Sequence, residues 1–389
     1  MAIRVMHFCP FMYYGGTERH LYNLLSRLPS EFESIVCAPT GPMTPMIESV
    51  ADHMEPRLEP LRVKNLRIGQ AVREVLDDIK KRLEDLRPDL VHVHISRETA
   101  FAIRKVAREI GMNCPVVLTP HVYTGSVDFL WTSLFARAVD KVIAVSDSER
   151  ARLARLLPSS IRNERVVSIY NGTPLADCCI GAAASHVRSL SPEVLSSAAG
   201  EARSLEPESI TIGTVGRLSK EKGTVYLLRA FSSLTGEFPN IRLVIVGGGS
   251  LREYLEQAAK SLGVADKVRF AGVMDDTSLE ASQFDIFVSP SLNEALSMSI
   301  IEAMALGKPV VATRVGATHE AVVHGDTGIL CKPRDPAELA QAIRALLISP
   351  ETRRRMGEAG RQRTVNLFSA QRMADKTVGV YRELLASSA

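Results

Sequence analysis

Two hydrophobic rhythms take turns along this chain. Short apolar runs predict buried strands at Ile3–Phe8, Ser34–Ala38, Leu90–Val93, Val116–Thr119, Lys141–Val145 and Val166–Ile169. Between them, apolar residues recur at helical spacing over Thr17–Leu28, Gln70–Leu86, Thr99–Ile110, Phe129–Ala138 and Asp147–Leu156. From about Pro174 to Pro207 the pattern dissolves into an Ala- and Ser-rich stretch, read as a linker with one short helix. It then restarts, with strands expected at Ile210–Val215, Arg242–Val246, Val268–Ala271, Ile286–Ser289, Val310–Thr313 and Gly328–Cys331. Helices are expected at Val225–Leu234, Leu251–Leu262, Ser299–Ala305 and Pro336–Leu347, and then only helices follow, Glu351–Leu367 and Ala370–Leu385. Strands alternating with helices predict parallel sheets covered on both faces. The expected class is α/β, as two βα-repeat domains with a helical tail. Ligands of open parallel sheets bind beyond the carboxyl ends of the strands. Two such domains facing each other would share one site in the cleft, built from the loops that follow the strands.

Composition narrows the picture. A chain of 389 residues exceeds what one core serves. An apolar share of 46% and a charged share of 23% are those of a soluble globular protein. A net charge of +3 gives no support to nucleic-acid binding. Met1 is followed at once by a strand-like run too short for the apolar core of a signal peptide, and no apolar run approaches the roughly 18 residues of a membrane span. The six cysteines, Cys9, Cys37, Cys114, Cys178, Cys179 and Cys331, include no Cys-x-x-Cys pair. That spacing argues for a reducing compartment and against zinc, so a cytoplasmic location is expected.

The loops carry the candidate chemistry. Gly15-Gly16 leads into a helix, where backbone N–H groups and the positive end of the helix dipole can receive an anion; a tight turn needing positive φ is the plainer reading. Arg217 and Lys222 lie in the loop after Ile210–Val215, just before a helix. Cations there oppose the helix dipole, so an anion such as a diphosphate would suit them, with a solvated basic loop as the alternative. Gly247-Gly248-Gly249 either admits a nucleotide to the backbone or makes a tight turn. His121, after Pro120, is either a donor or base toward a substrate hydroxyl or a surface histidine. His92 and His94 share a strand face; only His94, nearest the strand end, could reach a cleft, and structural packing or hydrogen bonding is the plainer reading for both. Glu294 and Glu302 frame a polar loop and the start of an otherwise apolar helix. They read as acceptors for sugar hydroxyls. For Glu302 the competing reading is a capping box headed by Ser299.

Taken together, these segments resemble the large family of retaining glycosyltransferases with the GT-B fold, glycosyltransferase family 4. GGTERHLYNLL, VIAVSDSER, IYNGTP, VGRLSKEKG, SLNEALSMSIIEAMALGKPVVAT and VGATHEAVVHGDTGILCKPRDPAELAQAI carry the resemblance, in order, over most of the chain. The resemblance implies two Rossmann-like domains facing across a cleft. An acceptor-side domain would span 1–174, a linker 175–207, a nucleotide-sugar domain 208–368, and a helix crossing back to the first domain 369–389. It implies a hexosyltransferase of polysaccharide or related biosynthesis, taking a nucleotide-diphosphate sugar, with UDP as the expected base. The acceptor would be a hydroxyl of a glycan, a lipid-linked or a small molecule. Arg217 and Lys222 would hold the diphosphate, Glu302 the ribose, and Glu294 with Ala295, Leu296 and Ser297 the transferred sugar. Gly15 and Gly16 would approach the distal phosphate, and His121 would lie near the reacting sugar. No cofactor or metal is expected. Sugar-nucleotide epimerisation, phosphorolysis and non-catalytic nucleotide-sugar binding are the rival readings. Three departures stand out: Ala295-Leu296-Ser297 replaces a frequent Gly-Phe-Gly, Val122 stands where an aspartate commonly follows the histidine, and Ala317 follows Gly316 where a second glycine is frequent. Basic clusters at Arg97, Arg104, Lys105, Arg108 and at Arg150, Arg152, Arg155 raise peripheral contact with the inner face of the membrane.

Overall fold

The computed structural model describes residues 2–56, 68–121, 138–156, 165–177 and 209–388. These fall into two compact units, Met1–Asn171 with Gln371–Ala389, and Gly172–Ala370. The helix expected at Phe129–Ala138 lies outside the described residues save for Ala138, and so does most of the linker expected over 175–207.

The first unit is built on seven parallel strands among the described residues: β1 (Ile3–Phe8), β2 (Phe32–Ala38), β3 (His53–Pro56), β4 (Leu90–His94), β5 (Val116–Thr119), β6 (Lys141–Ala144) and β7 (Val166–Ser168). Their order is β3-β2-β1-β4-β5-β6-β7, all neighbours parallel. Side chains alternate between the two faces, as the strand period dictates. Met6, Phe8, Val91 and Val93 pack with Ile79 and Leu83 of helix Ile68–Leu86 and with Ile103 of helix Arg97–Glu109. Val5, Leu90 and Val117 pack instead against Leu24 of helix Gly16–Leu25 and against Met373, Val378 and Tyr381. Those last three belong to the terminal helix Ala370–Ser388, which therefore completes the first unit's core. The short edge strand β3 and the helices Thr44–Glu48 and Ser278–Ser282 were not expected from the sequence pattern.

The second unit holds six strands among the described residues: β8 (Ile210–Val215), β9 (Ile241–Val246), β10 (Val268–Gly272), β11 (Ile286–Ser289), β12 (Val310–Thr313) and β13 (Gly328–Cys331). Their order is β10-β9-β8-β11-β12-β13, again parallel throughout. Leu227, Phe231, Ile343 and Leu346 cover one face of this sheet, packed with Ile212, Leu243, Ile286 and Val311. In both sheets the strand order reverses beside the first strand of the unit; the singled-out loops leave β1 in the first unit and β8 and β11 in the second, while His121 follows β5, one strand further out. The two segments where the chain passes from unit to unit are bonded side by side, Thr173 N–H donating to the Phe368 carbonyl at 2.8 Å.

Candidate active site

In the second unit β8 and β11 are hydrogen-bonded neighbours, so their carboxyl-end loops emerge together. The first loop passes through a short 3-10 turn, Lys220–Lys222, and then Gly223, at φ 64°, opens helix Thr224–Leu234. A side chain at Gly223 would meet the Pro290 carbonyl oxygen at 2.1 Å, so glycine lets the two loops touch. Leu292 N–H donates to the Glu221 carbonyl at 2.7 Å and ties them. The result is a close ion pair: Lys222 Nζ donates to Glu294 Oε1 at 2.6 Å. Ser291 Oγ donates to the same oxygen at 2.8 Å. Both charged side chains are largely withdrawn from solvent, Glu294 to 10% and Lys222 to 24% exposure. Beside them lies a small pocket lined by Gly216, Arg217, Lys222, Ser291, Glu294 and Ser299.

Arg217 shares that pocket lining but not the pairing. Its side chain is 68% exposed and lies 3.6 Å from Glu221. Glu302 sits half-buried on helix Met298–Ala305, whose other faces bury Ile301, Met304 and Ala305. The capping box is corrected: the helix begins one residue before Ser299, with Ser297 at the N-cap, so Ser299 cannot head that motif. Leu296 and Ser297 are buried and Ala295 half-buried, so the side chain of Leu296 joins the core. Ala317 N–H donates to the Ala295 carbonyl at 3.1 Å. Gly316, at φ 49°, lies against Glu294, where an added Cβ would fall 1.6 Å from the Glu294 carbonyl oxygen. Gly247–Gly249 packs against the loop after β8. Leu218 N–H donates to Gly248 O at 2.8 Å and Leu251 N–H to Leu218 O at 3.0 Å, so this loop braces the one carrying Arg217.

The first unit holds Gly15, Gly16 and His121. Helix Gly16–Leu25 starts with Gly15 as N-cap at φ −152°, ordinary extended backbone, so the positive-φ reading is corrected. The constraint there is spatial: a Cβ on Gly15 would meet Glu18 Oε2 at 2.6 Å, and Glu18 Oε1 accepts from Tyr13 N–H at 3.2 Å. The helix N-terminus thus already has a carboxylate folded onto it. His121 is not a surface histidine. It is half-buried in a cluster with His7, His20, His92 and His94, each of which is 1% exposed or less. His7 and His92 face each other across the β1–β4 register. His94 Nδ1 lies 3.1 Å from His121 Nε2, and His94 Nε2 lies 3.4 Å from His7 Nδ1. His92 is held by Tyr381 Oη at 2.6 Å and Thr119 Oγ1 at 2.8 Å, and His20 by Asn171 Oδ1 at 2.9 Å. Burial disfavours the charged imidazolium throughout. It pushes the His7 pKa down to about 3 and that of His20 to about 4, and it holds His92, His94 and His121 well below the usual histidine value.

Two groups of ring nitrogens, from His7, His92 and His94 and from His20, His94 and His121, lie within 4.8 Å of one another. Both nitrogens of His92 and both of His94 are engaged in hydrogen bonds, and a metal needs lone pairs aimed at one point. Sequence reasoning missed His7 and His20. The signal was available in part, since His7 alternates with Met6 and Phe8, but its neighbour is fixed only by the strand order. The expected basic surface is reduced too: Arg104 pairs with Asp140 and donates to two main-chain carbonyls, and Arg150 donates to the Val166 carbonyl. Among the described residues no helix is long and apolar enough to cross a membrane.

Residues 201–363 match the family described as glycosyl transferases group 1, and residues 14–177 match glycosyltransferase family 4. The chain is 28% identical over 400 residues to glycogen synthase of Mycobacterium tuberculosis, covering 94% of this chain and 91% of that one. It is 37% identical over 176 residues to D-inositol 3-phosphate glycosyltransferase of Corynebacterium diphtheriae, covering 43% and 41% of the two chains. Among solved structures, HepE of Anabaena in complex with UDP-glucose superposes with a TM-score of 0.76 at 19% identity, over 98% of this chain and all of that one. A glycosyltransferase of Rickettsia africae gives a TM-score of 0.78 at 21% identity, over 99% of both chains.

Proposed function

The chain belongs to the family 4 glycosyltransferases of the GT-B fold, and from that premise we propose that it moves a hexose-type sugar from a UDP-linked donor to a hydroxyl of a glycan, glycolipid or small-molecule acceptor, with retention at the anomeric carbon. The observation that carries this reading is the Lys222–Glu294 pair at 2.6 Å, beside a pocket at the carboxyl ends of β8 and β11. Lys222 is held in place by Glu294, so its charge waits where charge would grow on the leaving diphosphate, with little reorganisation at the moment of reaction. Arg217, exposed and long, would swing onto the same diphosphate as a bidentate partner. Glu302 would accept hydrogen bonds from the ribose. Glu294 and the backbone of Ala295, Leu296 and Ser297 would meet the transferred sugar, and Gly15 and Gly16 the distal phosphate. The acceptor would attack on the face the phosphate leaves, the departing phosphate oxygen taking its proton. UDP is preferred to GDP or ADP because HepE of Anabaena, similar in fold, is described in complex with UDP-glucose.

Two cations at the diphosphate make a divalent metal unnecessary, and we place the reaction in the cytoplasm. Peripheral contact with an anionic membrane would fall to the exposed Lys105 and Arg108, and would show as salt-sensitive co-sedimentation with vesicles. The deciding experiment is a thermal-shift screen with UDP, GDP and ADP, followed by product analysis with the preferred nucleotide sugar in EDTA, with and without acceptors. Stabilisation by UDP and an α-linked product from an α-linked donor are expected. An isomerised nucleotide sugar, a sugar phosphate, or binding without turnover would each replace the reading by its corresponding rival. Loss of transfer in EDTA, restored by magnesium or manganese, would overturn the metal-free clamp.

A further inference from the structure

The three rings His7, His94 and His121 form a line. For His94 and His121 the ring centroids are 5.4 Å apart and the planes 18° apart; for His7 and His94 the figures are 5.7 Å and 21°. In each pair the centroid separation exceeds the nitrogen–nitrogen distance, 3.1 or 3.4 Å, by about two ring radii. The rings therefore meet edge to edge in nearly one plane, lone pair against N–H, as hydrogen-bonded imidazoles do. A neutral imidazole has one donor and one acceptor, so both bonds must run in the same sense.

Two senses are possible, and the buried end chooses between them. His7 Nε2 is buried without a hydrogen-bond partner. If the bonds ran inward, His7 would carry an orphaned N–H there. If they run outward, it carries only an unfilled lone pair, and an orphaned buried N–H is the rarer and costlier defect. Outward, His7 Nδ1–H donates to His94, and His94 Nδ1–H donates to His121 Nε2. That leaves His121 with its proton on Nδ1, an atom that makes no hydrogen bond among the described residues. His121 also holds a left-handed backbone at φ 56°, a conformation a non-glycine residue keeps only where its surroundings fix it. Burial keeps the three rings neutral at pH 7.

We infer that His94, backed by His7, is the positioning residue for His121, fixing it as the Nδ1–H tautomer and so as a hydrogen-bond donor to a hydroxyl oxygen of the transferred sugar rather than as a general base. The line of histidines takes the part of the aspartate that Val122 replaces. The sugar as recipient rests on the proposed function; the tautomer does not.

The test uses the full chain with 15N-labelled histidine at pH 7.5, the His121 signals being assigned by their loss in His121→Ala. The expected spectrum has a protonated Nδ1 and an unprotonated Nε2 for His121, and His94→Leu shifts that proton toward Nε2. With a working donor and acceptor, His94→Leu lowers kcat by about 10- to 100-fold, the scale of lost orienting partners. His94→Asn, whose amide can still donate to His121, recovers most of that loss. A wild-type His121 protonated on Nε2 overturns the inference without any variant having to fold. So does a His94→Leu enzyme with an unchanged tautomer, or equal kcat losses in the Leu and Asn variants. The expected tautomer in a chain that transfers no sugar supports the relay and overturns the proposed function instead.

Discussion

Lys222 brings a positive charge, paired with Glu294, to the pocket at the carboxyl ends of β8 and β11. Lys222 and Glu294 are 72 positions apart in sequence and 2.6 Å apart in the fold. Neither position alone carried that fact, because it depends on the close approach that Gly223 permits. Lys222→Ala is expected to lower kcat/KM by at least about a hundredfold, the scale of one lost preorganised donor. A near-neutral result in donor-saturation kinetics would return Lys222 to a solvated loop. Gly316 works on the same pair from the other side. Its left-handed φ and its contact with the Glu294 carbonyl leave no room for a methyl group. Gly316→Ala is expected to cost roughly 1–3 kcal/mol in urea unfolding, through strain and displacement, and to lower kcat/KM as the Glu294 loop moves. Wild-type activity in a destabilised Gly316→Ala enzyme would separate the loop's position from catalysis.

At the scale of elements, the sequence pattern located most strands because buried parallel strands are nearly continuous apolar runs. Strand β3, His53-Met54-Glu55-Pro56, escaped because it is polar and ends in proline, which an edge strand tolerates. The short helix Thr318–Ala321 is too brief to show a period. The role of the terminal helix was legible only through family resemblance, since its apolar stripe does not say which unit it covers. Its Tyr381 is fully buried, and its hydroxyl meets His92 Nδ1 at 2.6 Å. Burial holds the Tyr381 pKa well above the usual tyrosine value, so the phenol stays protonated. Tyr381→Phe keeps the ring and removes the hydroxyl, leaving His92 short of one partner. A loss of about 1–3 kcal/mol is expected in equilibrium unfolding of the first unit, with the second unit's transition unmoved. Equal shifts in both transitions would mean that the helix does not belong to the first unit alone.

Across the whole molecule, titratable groups are distributed unequally between two units that each have their own core. Five of the nine histidines form the neutral cluster of the first unit, whereas the second unit's described histidines, His319 and His324, show no such burial. A histidine whose folded pKa is depressed adds stability that is fully present above its unfolded pKa, near 6.5. That stability is lost as pH falls toward the folded value. For His20 and His7 the window runs from about 6.5 down to about 4 and about 3. Within it the unfolded chain binds protons that the folded unit refuses, so acid favours unfolding. Going from pH 7 to pH 5.5, each of these two residues removes about 1 kcal/mol. Together they lower the first unit's midpoint by roughly 5–10 °C, before the rest of the cluster is counted. The second unit has no buried histidine among its described residues, so the same loss is not expected there. Calorimetry at pH 7 and pH 5.5 is therefore expected to pull apart two transitions, the lower one belonging to the unit with the histidines. A first-unit midpoint that holds at pH 5.5 would mean that the cluster takes up protons without unfolding, and would remove the fixed neutral tautomers on which the orientation of His121 depends, whereas a single transition that moves as one would mean that the two units unfold together.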